Sequence, residues 1–118
     1  MLNEGQIVLF PFPQTNQRAG KLRPALVLRQ CPTQYDDWLI CMISSQVNQR
    51  VDDIDELISA TDADFNSTGL KKTSIIRLTR MAVVDRDILV GILGAVSSTR
   101  LIRLRQKLAS WILGVSQL

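Results

Sequence analysis

The chain has 118 residues, 46% of them hydrophobic, with 14 Lys and Arg against 11 Asp and Glu and no histidine. That length suits one domain over 1–118 and buries roughly two-thirds of the unfolded surface, so the fold needs no disulfide or metal staple. The formal charge of +3 tolerates a polyanion without demanding one; two cysteines without histidine cannot complete a zinc site; and no apolar stretch approaches the ~20 residues that cross a bilayer.

The opening Met-Leu-Asn-Glu-Gly lacks the basic region of a secretory leader. A cytoplasmic protein is expected, with Cys31 and Cys41 as reduced core thiols. Gln6–Pro13 reads as a strand of β-formers, and Pro11 and Pro13 require it to finish at an edge or a bulge. Gln14–Lys21 is polar, contains Gly20, and reads as a loop. Pro24–Arg29 is a second strand, and Cys31–Asp37 a turn. Trp38–Ser44, nearly all apolar, is a third strand covered on both faces. Gln46–Asp55 reads as a polar loop, Glu56–Ala60 as a short strand and Thr61–Gly69 as a long turn. Thr73–Leu78 is another strand, Met81–Asp87 is open between a strand and a helical turn, and Ile88–Ala95 returns to strand. Ser97 or Ser98 then caps a helix whose Leu101, Leu104, Leu108, Trp111 and Ile112 recur at helical spacing. Arg100, Arg103, Arg105 and Lys107 fall largely off that stripe. Short strands followed by one helix predict a small α+β, mainly β, barrel. Acids at 52–64 and basic residues at 71–80 and 100–107 suggest a charge-sorted surface.

Four blocks in order resemble one family. Gly5–Pro13 followed by Lys21-Leu22-Arg23-Pro24-Ala25-Leu26-Val27-Leu28 is similar to the opening of the MazF/PemK (Kid) toxins. Ile43-Ser44-Ser45-Gln46 resembles their third-strand signature, and Gly69–Arg77 the next block. Asp85–Gly94 and the final helix follow in the family's order. The resemblance implies an SH3-like small β-barrel of the CcdB/MazF type with a C-terminal helix, assembled as a homodimer. It implies a type II toxin that cuts single-stranded RNA sequence-specifically, with no metal or other cofactor, and an antitoxin that lays an acidic disordered tail over the RNA-binding face.

Such cleavage sends the ribose 2′-hydroxyl onto the adjacent phosphorus, leaving a 2′,3′-cyclic phosphate and a 5′-hydroxyl. The site must stabilise charge on phosphate, take one proton and give another. The resemblance assigns catalysis to Arg23, Ser44 and Arg77. A guanidinium suits the phosphate clamp, since its planar fork holds two oxygens at once. It does not suit the base, because neutralising arginine at pH 7 costs about 7 kcal/mol or more. Ser44 stands where the family has threonine; the hydroxyl survives but the methyl that stiffens χ1 does not. Thr79, followed by Arg80, stands where some members carry an aspartate for acid–base work, which leaves the general base unassigned. Thr15, Asn16, Gln17, Arg18 and Lys21 in the first loop are expected to contact RNA, with Ser45, Gln46, Lys71, Lys72, Thr79 and Arg80. Phe10, Phe12 and Trp38 suit core burial better than base stacking. Two alternatives remain open: a member that binds RNA or antitoxin without cutting, and a CcdB-like gyrase poison, faintly echoed by Trp111 and the tail 112–118.

Overall fold

A computed structural model describes residues 1–11 and 21–115. Six strands form one antiparallel sheet in the order β4-β5-β3-β2-β1-β6, a curled half-barrel with a helix against it. The strands are β1 (Gln6–Pro11), β2 (Leu22–Gln30), β3 (Asp37–Ser44), β4 (Glu56–Ile58), β5 (Ser74–Asp85) and β6 (Val90–Ala95), followed by α1 (Ser98–Leu113). Single 3₁₀ turns lie at Val47–Gln49, Asn66–Thr68 and Arg86–Ile88. This is the expected class, an open sheet rather than a closed barrel among the described residues.

Proline placement explains the ends of the first ladders. β1 pairs with β6 from Gln6 to Leu9, while Phe10 and Pro11 pair with β2 alone. Pro11, which has no N–H to give, therefore lies past the β6 ladder. The β2–β3 ladder begins at Ala25↔Met42, one residue beyond Pro24. The expected strands 73–78 and 81–87 are one strand, β5, whose register against β3 jumps from Met42↔Arg77 to Cys41↔Met81. The residues between form a bulge, which periodicity reads as a break.

Alternation sends the sheet's side chains to two cores. Ile7, Leu26, Leu28, Cys41, Ile43, Ile76 and Leu78 pack with Leu101, Leu104 and Leu108 of α1. Val8, Phe10, Ala25, Val27, Trp38, Ile40 and Val84 form a second core with Leu2. Phe10 and Trp38 are buried, as expected. α1 starts at Ser97, whose Oγ accepts the Arg100 N–H, and ends at Gly114 with φ 77°. β6 approaches the Asn66–Thr68 turn so closely that a Cβ on Gly94 would sit 2.2 Å from the Ser67 carbonyl oxygen. Both cysteines are free, but only Cys41 is a core thiol; Cys31, expected there too, is half-buried just past the end of β2. Burial, with the Asp55 charge adding to it, pushes the Cys41 thiol far up, so it stays protonated.

Candidate functional site

Arg23, Ser44 and Arg77 share one face at one end of the sheet. Ala25 pairs with Met42 and Met42 with Arg77, so these three point the same way. Continuing the β2–β3 register two places sets Arg23 across from Ser44, while Ser44 itself pairs with Ile75. Opposed residues have Cβ atoms about 5 Å apart and diagonal ones about 7–8 Å, within reach of an arginine. Arg23 is half-buried, and its side chain has no hydrogen-bond or ion-pair partner among the described residues. Ser44 is 5% exposed; its Oγ accepts the Gln46 N–H at 3.0 Å, which leaves the hydroxyl proton free to be donated.

Arg77 is held from behind. Its Nη1 donates to Gln49 Oε1 at 3.3 Å and its Nη2 to the Gln49 carbonyl at 3.5 Å. Its Nε lies 3.7 Å from Asp55 Oδ2, buried and without a hydrogen bond. Asp55 also closes the turn before β4: Oδ2 accepts the Val51 N–H at 3.0 Å, in a turn where Asp53 takes the left-handed φ of 72°. Oδ1 accepts the Thr79 N–H at 3.1 Å and the Thr79 hydroxyl at 3.0 Å, which pins the β5 bulge. Neither Asp55 nor Gln49 is marked as a site residue by sequence reasoning, since both fall in a segment that reads as a polar loop.

Ion pairing decides where positive charge remains. Glu56, Asp62 and Asp64 of the acidic segment pair with α1 rather than forming a separate patch. Arg100 is 6% exposed and bonds Asp64 at 2.9 Å, Glu56 at 2.7 Å and Asp62 at 2.9 Å. Arg103 and Lys107 add contacts to Glu56. Arg105, with Arg29, pairs with Glu4. The Arg100 hydrogen bonds hold the Asp64 carboxyl down at about 2. Burial pushes Glu56 up, but Arg103, Lys107 and Arg100 more than offset it and its pKa is lowered. Burial likewise lowers Arg100, yet its acids leave it raised. The expectation that Arg100 belongs to a basic stretch of the surface is thus corrected: it is a buried hub. Lys21, Arg23, Lys71, Lys72, Arg80 and Arg86 have no ion pair among the described residues. The first four lie at or beside the strand ends that flank Ser44, because Leu22 opens β2 and Ser74 opens β5 there.

Ser45 and Gln46 follow Ser44 and are exposed, as are Lys21, Lys71 and Lys72. Arg80 is exposed in the bulge, and Thr79 faces Asp55. Thr15, Asn16, Gln17, Arg18 and Phe12 lie outside the described residues. A cleft of about 820 Å³ is lined by Asp52, Asp53, Asp55 and Glu56 with the α1 cations Arg100, Arg103 and Lys107, all three of which already pair with Glu56. No group of three or more His, Cys, Asp or Glu side chains able to hold a metal converges among the described residues. No helix among them is long and apolar enough to cross a membrane. Trp111 is exposed near the end of α1.

A family model described as the PemK-like, MazF-like toxin of type II toxin–antitoxin systems matches residues 3–112. No curated protein sequence matches the chain significantly. Among solved structures, an endoribonuclease in complex with its cognate antitoxin from a mycobacterial species superposes with TM-score 0.67 at 13% identity, over 100% of both chains. The Mycobacterium tuberculosis toxin MazF-mt6 gives 0.65 at 15% identity, over 95% of this chain and 99% of that one. A second mycobacterial endoribonuclease gives 0.63 at 14% identity, over 98% and 93%. At these identities the structural likeness speaks for the fold.

Proposed function

We propose, on the premise that the chain belongs to the PemK-like, MazF-like toxin family of type II toxin–antitoxin systems, that it is a metal-independent endoribonuclease. Its substrate is single-stranded RNA, cut at specific sequences so that translation stops. Its partner is an antitoxin with an acidic disordered tail, and its working form is a cytoplasmic homodimer. The solved relative bound to its cognate antitoxin supports the partner. The observation that carries the reading is the convergence of Arg23, Arg77 and the Ser44 hydroxyl on one face, at the sheet end where unpaired cations gather.

Two guanidiniums clamp the non-bridging phosphate oxygens, and the Ser44 hydroxyl donates a further hydrogen bond to them. The 2′-oxygen then bonds to phosphorus while its proton passes to water. The bond from phosphorus to the 5′-oxygen breaks, and that oxygen takes a proton from Arg23 or from solvent. The products are a 2′,3′-cyclic phosphate and a 5′-hydroxyl. Lys71, Lys72 and Lys21 draw the backbone to this end without reading sequence.

The test is cleavage of a long single-stranded RNA in EDTA by the full chain freed of antitoxin. Arg23→Ala is expected to lower kcat by roughly 10²–10³-fold, the loss typical of one oxyanion donor. RNA left intact by the wild-type protein overturns the enzyme reading. The depth of Ser44, at 5% exposure, favours as second reading a member that binds RNA or antitoxin without cutting. Salt-sensitive RNA affinity with no 2′,3′-cyclic product selects it.

A further inference from the structure

Asp55 is a carboxylate with no exposed side-chain surface, beside a catalytic-site arginine, in a segment whose sequence marks it as nothing but loop. Burying such a charge costs several kcal/mol unless partners compensate. Its partners all lie in two places, the turn at Val51 and the β5 segment Arg77–Thr79. Glu56 pairs with Ile76 and Leu57 with Ile75, so one further step of that register sets Asp55 opposite Arg77, on the face of Ser44 and Arg23. The loop is therefore folded back so that its acid completes the row that ends in Arg77.

We infer that Asp55 is a positioning residue: it fixes the Arg77 guanidinium in the orientation that meets the scissile phosphate. This rests on the ribonuclease reading above. A guanidinium has five N–H donors. Nε lies 3.7 Å from Asp55 Oδ2, an ion-pair contact without a hydrogen bond, and Gln49 takes one hydrogen from Nη1 and one from Nη2. One N–H on each Nη is left for phosphate oxygens. Asp55 also dictates the bulge, because Thr79 gives it both its backbone N–H and its hydroxyl. A single acid thus sets both where Arg77 stands along β5 and how its side chain is turned. Thr79, which lacks a carboxyl, serves as the handle by which the acid of the neighbouring turn grips β5.

The experiment is a double-mutant cycle with Asp55→Asn, Arg77→Ala and the pair, in the full chain. It has two readouts: kcat and KM on a long single-stranded RNA, and affinity for a 2′-O-methylated oligonucleotide that lacks the nucleophile. Asp55→Asn is expected to lower kcat roughly 10²-fold, the loss that an ångström of misplacement brings, with KM within about threefold. In the Arg77→Ala background the same change is expected to do nothing further to cleavage. A purely scaffolding Asp55 lowers activity by the same factor in both backgrounds, and that result, or wild-type activity in Asp55→Asn, overturns the inference. Thermal melting checks each variant. If Asp55→Asn does not fold, Thr79→Val, which removes one donor and keeps the backbone N–H, takes its place in the cycle. Wild-type protein that leaves RNA uncut overturns the nuclease reading alone. The cycle is then scored on oligonucleotide affinity, where additivity of Asp55→Asn and Arg77→Ala still refutes a role through Arg77.

Discussion

Replacing Arg100 by methionine tests whether the acidic segment is part of the scaffold. The guanidinium makes hydrogen bonds to three carboxylates and to the Leu57 carbonyl, with only 7% of its side chain exposed. Removing one partner of a buried pair costs about 3–5 kcal/mol. The low end applies here, because Glu56 keeps Arg103 at 2.8 Å and Lys107 at 3.4 Å, and half-buried Asp62 keeps the Ser59 N–H. Asp64 is the acid left stranded, with the Ser97 N–H as its remaining donor from the start of α1. Its depression from 3.8 to about 2 gives a second measure of what it loses, about 2 kcal/mol at neutral pH. Arg100→Met is therefore expected to cost about 3 kcal/mol, a fall in Tm of about 12 °C for a chain of this length. Adding Asp64→Asn, which removes the stranded charge and can still accept from Ser97, is expected to recover about half of it. The assay is urea unfolding with thermal melting, and RNA cleavage measured well below the lowered Tm is expected to be unchanged. A Tm within about 3 °C of wild type, or no recovery in the double variant, refutes the account of a buried hub.

Three further outcomes follow from the same geometry. The carboxyls of Asp64, Glu56, Glu4 and Asp62 are all lowered on folding. Their contribution is present above the ordinary carboxyl range and is lost as pH falls through the folded values, so acid titration is expected to hold stability down to about pH 5 and lose it between about 4.5 and 2, less steeply in Asp64→Asn. Lys71→Ala with Lys72→Ala is expected to weaken RNA binding in all sequence contexts and to reduce the slope of log affinity against log salt by about 1.4, from ~0.7 per neutralised phosphate, measured by a salt series on the 2′-O-methylated oligonucleotide. Gly94→Ala drives a Cβ to 2.2 Å from the Ser67 carbonyl oxygen and 2.6 Å from the Thr68 carbonyl carbon; backbone must move, and chemical denaturation is expected to show a loss of about 1–3 kcal/mol.

Patterns that repeat along the chain were legible without coordinates. Runs of β-formers located the strands to within a few residues except β5, read as two elements with the second left open, and Leu101, Leu104 and Leu108 marked the buried face of α1, while Trp111 and Ile112 of the same expected stripe are exposed. Ser97, one of the two expected caps, caps the start of α1. What could not be read was set by partners distant in sequence. The break between Leu78 and Met81 is a bulge because Asp55, 24 residues away, accepts two donors from Thr79. Arg100 sits beside the apolar stripe, and periodicity assigns a charged flank to solvent; acids 36 and 44 residues earlier bury it instead. The site residues show the same division. The hydroxyl and the arginines stand in recognisable blocks, whereas Asp55 and Gln49, which hold Arg77, sit in a segment with no periodicity at all.

That division shows how a net charge of only +3 is compatible with the proposed polyanionic substrate. What a phosphate meets is local potential, not the sum over the chain. Arg100, Arg103, Arg105 and Lys107 make the C-terminal helix look like the basic element, yet each faces an acid across a few ångströms. Lys21, Arg23, Lys71 and Lys72 are fewer than the cations that are paired, but nothing among the described residues offsets them. Glu56, Asp62 and Asp64 are engaged with α1 and Asp52 with Arg50, so the charge of these four acids is compensated locally. Asp55, whose side chain is sealed from solvent, lies instead beside Arg77. Charge is spent on cohesion at one side of the sheet and left uncompensated at one end, which is where a phosphodiester has reason to settle.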